Sequence, residues 1–130
     1  EKFLRATPSL RSLREKVERV AQRRWVRGID QRKIIIRHPH AALNTLLQGA
    51  GACVMKKALT LLEEYVITKR IRAFPVVNVH DEFQYEVQAD RADEFGRLAV
   101  QSIRDAGDLL NVRCPLNGEY KIGNNWSETH

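Results

Sequence analysis

Phe74-Pro-Val-Val-Asn-Val-His-Asp-Glu-Phe-Gln-Tyr-Glu-Val87 reads as two short strands with His80, Asp81 and Glu82 at the bend between them. Val76, Val77 and Val79 supply β-branched residues on the way in. Phe83, Tyr85 and Val87 alternate with Gln84, Glu86 and Gln88 on the way out. A hairpin bend pushes acidic groups out of a core and holds them still, so two adjacent carboxylates beside a histidine suit a hard cation or a phosphate-bearing substrate. A solvated turn is the commoner meaning of an Asp-Glu pair, because turns favour Asp and surfaces favour both. The rest of the chain has to decide between the two.

The flanks of the hairpin are helical. Upstream, Leu43, Leu46, Leu47, Ala50, Val54, Ala58, Leu61, Leu62 and Tyr65 lie along one broad stripe, which predicts a helix from Ala41 to about Lys69. Downstream, Asp90 starts a helix in which Phe95, Leu98, Ala99, Ser102, Ile103 and Ala106 recur at helical spacing. Asn111–Leu116 and Glu119–Ile122 around Asn117-Gly118 predict a last strand pair. At the other end, Thr7-Pro8 signals a basic amphipathic helix over residues 8–24. Trp25–Gly28 and Lys33–Arg37 then read as strands joined by a turn at 29–32, and His38-Pro39-His40 breaks the second of them. Helices mixed with three hairpins predict an α+β fold with antiparallel β-hairpins packed against long helices.

The 130 residues, 43% hydrophobic and 29% charged, have the size and make-up of a single soluble globular domain, 1–130. No run approaches the ~20 apolar residues of a membrane span, and Glu1–Pro8 lacks the apolar core of a signal peptide. The chain starts on Glu1 rather than Met, as a trimmed chain or a piece of a longer polypeptide would. Cys53 and Cys114 make no disulfide framework, and Cys53, inside a helical pattern, is expected to be a buried reduced thiol. The net charge of +6 is uneven: residues 1–37 carry twelve Lys and Arg against four Asp and Glu, and the remainder is slightly acidic. Such asymmetry favours a polyanionic partner, nucleic acid before a membrane surface, or else marks a solubilising helix face.

Asn44 and Gln48 stand four apart on the long helix and so share a face. Their amides suit nucleic-acid backbone or minor-groove base edges, though helix-surface amides are usually only solvated. Gly49 and Gly51 beside them cost about 1 kcal/mol each relative to alanine, which calls for the close approach of another backbone or a bulky ligand. His38, His40, Cys53 and Cys114 do not have structural-zinc spacing. There is no Gly-rich phosphate loop of the Walker type and no nucleophile elbow.

Val79-His80-Asp81-Glu82 between apolar strands resembles motif C of the family A DNA polymerases. Arg37-His-Pro-His-Ala-Ala-Leu-Asn-Thr-Leu-Leu-Gln-Gly-Ala-Gly51 is similar to that family's approach to the palm helix with an Asn-x-x-x-Gln pair. Trp25-Val-Arg-Gly-Ile-Asp30 and the ending Gly123-Asn-Asn-Trp-Ser-Glu-Thr-His130 resemble the replicative polymerases of podoviruses. The resemblance covers nearly the whole chain, in order.

It implies a partial palm with the end of the fingers, residues 1–37 closing the fingers and 38–130 forming the C-terminal half of the palm. Asp81 and Glu82 would be catalytic carboxylates and ligands of Mg2+ in a two-metal nucleotidyl transfer, with His80 against the primer's 3′ end. Asn44, Gln48, His40 and Arg37 would meet primer-template DNA; His40 departs from the arginine that many cellular members carry one turn before that Asn. His130 would lie close to the palm site. The second metal-binding aspartate, the fingers helix that binds the incoming deoxynucleoside triphosphate and the thumb are not in the matched region. The resemblance therefore implies a C-terminal fragment or split subunit, inactive without the missing N-terminal polymerase portion, in the cytoplasm of a bacterial host as a phage or prophage protein. A cut-out palm exposes apolar surface, so a homo-oligomer is expected in isolation. The alternatives are a non-catalytic basic DNA-binding module and, less favoured, a metal-dependent nuclease.

Overall fold

The computed structural model describes residues 6–129. The chain divides into two compact units, Glu1–Gly51 and Ala52–His130, and the division falls inside the longest helix. None of the helices among the described residues is long and apolar enough to cross a membrane.

In the first unit, helix α1 (Pro8–Ala21) is followed by strands β1 (Trp25–Arg27) and β2 (Lys33–Ile35), a 3₁₀ turn (Pro39–Ala41) and the start of helix α2 (Ala42–Lys69). Pro8 occupies the first turn of α1, where its missing N–H removes no helical bond. The helix stops three residues short of the predicted Arg24, because Arg24 itself takes a left-handed φ of 64° and turns the chain into β1. The two predicted strands do pair antiparallel, Trp25 with Ile35 and Arg27 with Lys33, each ending one or two residues before its predicted end. Val17, Ala21, Val26, Ile36 and Ala42 make the core, flanked by Ile34, Leu43 and Leu46. Residues 38–51 thus pack with the basic helix and hairpin.

In the second unit, α2 leads into β3 (Ala73–Val79) and β4 (Glu82–Val87), then a 3₁₀ turn (Ala89–Arg91), helix α3 (Ala92–Leu109) and a short helix α4 (Trp126–Thr129). The end of α2 is closed by Arg70 at φ 53°. The Ile71 amide donates to Val66 O at 3.0 Å and that of Arg70 to Ile67 O at 3.1 Å, which satisfies two orphan carbonyls. Ile71 is buried there with Leu62, Val66, Phe95 and Ala99, and the apolar face of the hairpin, Phe83, Tyr85 and Val87, packs on this cluster. A second cluster joins Val54, Ala58 and Leu61 of α2 to Ala106 of α3. The two helices are also pinned by Tyr65, whose hydroxyl donates to Asp105 Oδ2 at 2.5 Å. Ala42, Met55 and Val66 are buried although the predicted stripe omits them, whereas Leu47 is 56% exposed.

The last predicted strand pair does not form: among the described residues the sheets are two separate two-stranded ladders. Residues 111–125 instead run as a single segment along α3. Leu116 lies over Gly107, Gly118 over the Ile103 methyl and the Tyr120 ring over Gly96. Arg104 donates to Asn117 Oδ1 at 2.8 Å and Tyr120 Oη to Asp93 Oδ1 at 2.5 Å. The physical reason is the groove that Gly96 and Gly107 leave on α3. Packing half-buried Leu116 and one face of the Tyr120 ring against it outweighs a hairpin that would have no third layer to cover it.

Gly96→Ala places a Cβ on the body of the Tyr120 ring. It is expected to lower the urea midpoint by the equivalent of about 1–3 kcal/mol. In a Tyr120→Ala background the sign reverses, because alanine is the better helix former by about 1 kcal/mol.

All three tyrosines sit above the ordinary phenol range. Tyr65 is pushed up to about 12, first by its hydrogen bond to Asp105 and then by burial. Burial raises Tyr85, and the bond to Asp93 raises Tyr120. A raised folded-state pKa contributes stability that is complete below the unfolded value near 10 and is lost as pH rises through the folded value. Phenolate absorbance is therefore expected to stay low through pH ~10, and Tyr65→Phe is expected to remove one late-titrating group. A tyrosine titrating at its ordinary value in the folded chain contradicts this.

Candidate functional site

Val79 and Glu82 face each other at the end of the β3–β4 ladder, so His80 and Asp81 alone make the turn. Glu82, grouped with the bend in the sequence reading, is the first residue of β4. His80 takes φ 54° and Asp81 does not turn positive. That is the sign pattern of a type II′ turn, whose first position ordinarily calls for glycine. A left-handed non-glycine residue costs about 1–2 kcal/mol, and strain of this kind concentrates at functional sites. The ladder holds it in place: Asn78 pairs with Phe83 below the turn, and the Phe83 and Tyr85 rings meet edge-on, centroids 6.1 Å apart, above the Phe95 core. Further down, the register shifts between Pro75 and Val77, leaving Val76 as a bulge next to a proline that has no N–H to give the ladder.

The side chains of His80 and Asp81 are exposed and make no hydrogen bond or ion pair among the described residues. Glu82 is half-buried and accepts a hydrogen bond from the Gln84 amide. The other end of that amide, Gln84 Oε1, accepts from the Thr129 hydroxyl at 3.1 Å. Two carboxyl side chains thus adjoin in sequence, and Asp81 has no arginine or lysine bridged to it among the described residues. Among the described residues no three His, Cys, Asp or Glu side chains gather as a ready-made metal cage. A cation held here would take its oxygen donors from this bend and from elsewhere. That fits Mg2+, which is usually bound through one or two carboxylates plus water and phosphate oxygens.

The other sequence-predicted residues belong to the first unit. His40 closes the 3₁₀ turn before α2, its ring stacked on His38 at 5.6 Å between centroids. Asn44 and Gln48 follow at intervals of four, both exposed, and Arg37 is exposed just before them. A Cβ added at Gly49 would meet Ile34 Cδ1 at an ordinary contact distance of 3.4 Å, while nothing stands within 4 Å of a Cβ at Gly51. No backbone approaches closely at either glycine among the described residues, so the close approach expected at the small residues is not found; Gly51 opens outward beside Leu47 and Gln48. The basic face of α1 is partly neutralised by Arg11–Glu15 and Arg14–Glu18. Lys16, Arg19, Arg23, Arg24 and Arg37 have no acidic partner among the described residues. His130 lies outside the described residues. Gln84 and Thr129 are the site residues that sequence reasoning missed. Alternation places Gln84 on the face of Glu82, but no local signal joins it to a residue 45 positions on.

The profile of the family described as DNA polymerase family A matches residues 1–128. The DNA-directed DNA polymerase of Escherichia phage Phieco32 is 35% identical over 136 residues, 99% of this chain and 22% of its own length. That of Escherichia phage T7 is 35% identical over 156 residues, covering 100% of this chain and 22% of its own. DNA polymerase I of Geobacillus stearothermophilus is 29% identical over 107 residues, 81% of this chain and 12% of its own. Among solved structures, the POL domain of Pol1 from M. smegmatis, in complex with DNA primer-template and dNTP, superposes with a TM-score of 0.75. It is 20% identical and covers 82% of this chain and 21% of that one. The chain thus spans about a fifth of the length of these phage relatives.

The turn geometry has a direct check. His80→Gly is expected to match or raise the thermal midpoint, and His80→Val to lower stability by about 1–2 kcal/mol, because a β-branched residue tolerates positive φ worst. Equal midpoints for the two variants mean that the backbone is not held left-handed.

Proposed function

The chain belongs to DNA polymerase family A, and from that membership we propose that it is the C-terminal palm portion of a DNA-directed DNA polymerase. In this reading its β3–β4 bend supplies one side of a two-metal nucleotidyl-transfer site. The observation that carries the proposal is the bend itself: Asp81, exposed and in no ion pair among the described residues, on a strained turn held by a packed ladder. Asp81 and Glu82 would hold divalent metal, Mg2+ by the oxygen chemistry of the donors. When bound, the metal supplies charge neutralisation at the oxygens of the transferring phosphoryl group.

The remaining work falls to the chain's own groups. The rigid turn fixes where the Asp81 carboxylate sits, which limits reorganisation during reaction. His80, beside it and exposed, lies against the primer end. Asn44 and Gln48 can donate to the minor-groove acceptors common to all correct base pairs, and so test pairing without reading sequence. Arg37 and the unpaired basic residues of α1 and its C-terminal end serve phosphates. Phe74, Val76 and Val79 of β3 are 63%, 68% and 41% exposed. Such apolar exposure supports the reading of this hairpin as one side of a larger sheet, completed by the polymerase portion that brings the second aspartate and the nucleotide-binding helix.

The test supplies the chain with that portion, in one polypeptide or two. Asp81→Ala is expected to lower metal-dependent nucleotide incorporation by about 100- to 1,000-fold and to leave primer-template affinity unchanged. Affinity should fall with salt at a log-log slope of about −0.9 per phosphate contacted. Full incorporation by Asp81→Ala overturns the site. The unpaired basic residues also suit a second reading, a DNA-binding module without chemistry. Salt-dependent binding with no incorporation in the complete assembly would favour it.

A further inference from the structure

We infer that the last turn of the chain positions the Glu82 carboxylate through a Thr129–Gln84 latch, and that Thr129 and Gln84 are positioning residues for the metal site. The inference rests on the reading of Glu82 as a metal-site carboxylate. Glu82 and Gln84 are two apart on β4 and so project from one face of the hairpin. The Gln84 amide is engaged at both ends: its NH2 donates to Glu82 Oε1, and its oxygen accepts from Thr129 Oγ1 at 3.1 Å. A carboxylate can only accept, so the amide must offer Glu82 its nitrogen and turn its oxygen away. Without a donor on that side, the half-buried oxygen would be left to water and the Gln84 side chain would be tethered at one end only. Thr129 supplies that donor. Its single hydroxyl proton is shared between Gln84 Oε1 and Trp126 O, which is also at 3.1 Å.

The turn that presents Thr129 is built for the purpose. Both oxygens of Glu128 are used locally: the Asn124 amide donates to Oε2 at 2.7 Å and Asn125 Nδ2 to Oε1 at 2.7 Å. This ties the start of α4 to its third residue, in the manner of a capping box. Gly123 leaves room for the fold-back, because a Cβ there would stand 2.6 Å from Glu128 Cβ. A four-residue helix would otherwise be marginal. Fixed in this way, it brings a hydroxyl to the Gln84 side chain, which donates to the second carboxylate of the bend.

The experiment compares Thr129→Val, Thr129→Ser, Gln84→Leu and Glu82→Gln. In the chain itself, the NMR signal of the Gln84 side-chain amide is followed. With the complementary polymerase portion present, the Mg2+ concentration giving half-maximal incorporation is measured. Thr129→Val is expected to shift the amide signal, speed its exchange with water and raise the Mg2+ requirement by about tenfold. Thr129→Ser should restore both, and Thr129→Val should add nothing to Gln84→Leu. If Glu82→Gln raises the Mg2+ requirement while Thr129→Val changes neither readout, the latch is wrong and the metal-site reading stands. If Glu82→Gln leaves the requirement unchanged, the reading of Glu82 is wrong and the inference falls with it.

Discussion

Phe83, Tyr85 and Val87 press one face of β4 onto Leu62, Val66 and Phe95, and the register of the hairpin follows from that contact. Side chains on a strand alternate between faces, so a slip of one residue would drive Glu82, Gln84 and Glu86 into the apolar cluster. Burying unpaired carboxylates costs several kcal/mol each, so the slipped register is not competitive. With the register fixed, Val79 must face Glu82, and only two residues remain to connect them. Those two are His80 and Asp81, neither of them the glycine that such a turn prefers. Burying an aromatic or branched apolar side chain is worth about 1.5–3 kcal/mol when complete. Even partial burial of three such residues exceeds the about 1–2 kcal/mol of a left-handed histidine. The strain persists because the packing over-determines it.

The same logic of small residues against large ones shapes the other side of the second unit. Gly96 and Gly107 line one side of α3, and the segment after Asn111 lies down in the groove they leave. Asn111 itself, at φ 54°, ends α3 by letting the Val112 amide donate to Gly107 O at 2.9 Å. That cap turns the chain back along the helix it has just left. The segment then passes Ile103 and Gly96 before it reaches Gly123 and the fold-back of α4. A groove in one helix thereby delivers Thr129 to the polar face of the hairpin, with no sheet to carry it there.

Most of the elements are legible in the sequence because their signals are local. Alternation in β4, the Ile34–Ile36 run, the three-to-four spacing of α2 and α3 and the Thr7-Pro8 start each depend on neighbours within one or two turns. The Asp81 bend is legible for the same reason, since two apolar runs flank it. The failures are non-local. Asn117-Gly118 is a strong hairpin signal, but it competes with a groove made by Gly107 and Gly96, about 10 to 22 positions earlier, and the groove wins. Arg24, Arg70 and Asn111 end helices or turn the chain in left-handed conformations without the glycine that usually announces them. Phe74 and Val76 carry strand-forming side chains yet stay exposed, because β propensity says that a residue suits a pleated surface and not which face is covered. The Gln84–Thr129 bond spans 45 residues and joins two unremarkable polar side chains. No spacing rule reaches it.

The two carboxylates of the bend, adjacent in sequence, are held by different means. Among the described residues Asp81 has no hydrogen-bond partner, and its position is set by the backbone of a strained turn. Glu82 is fixed by its own side chain, through Gln84 and the end of the chain. On the proposed reading, a cation at the bend would engage both groups and so bind more tightly than it would to either alone. It would also be stabilised by the strain already present, since the turn that exposes Asp81 does not have to form on binding. The difference in support implies a difference in role: the group on the rigid turn is preset, whereas the group on the side-chain relay responds to whatever moves the tail.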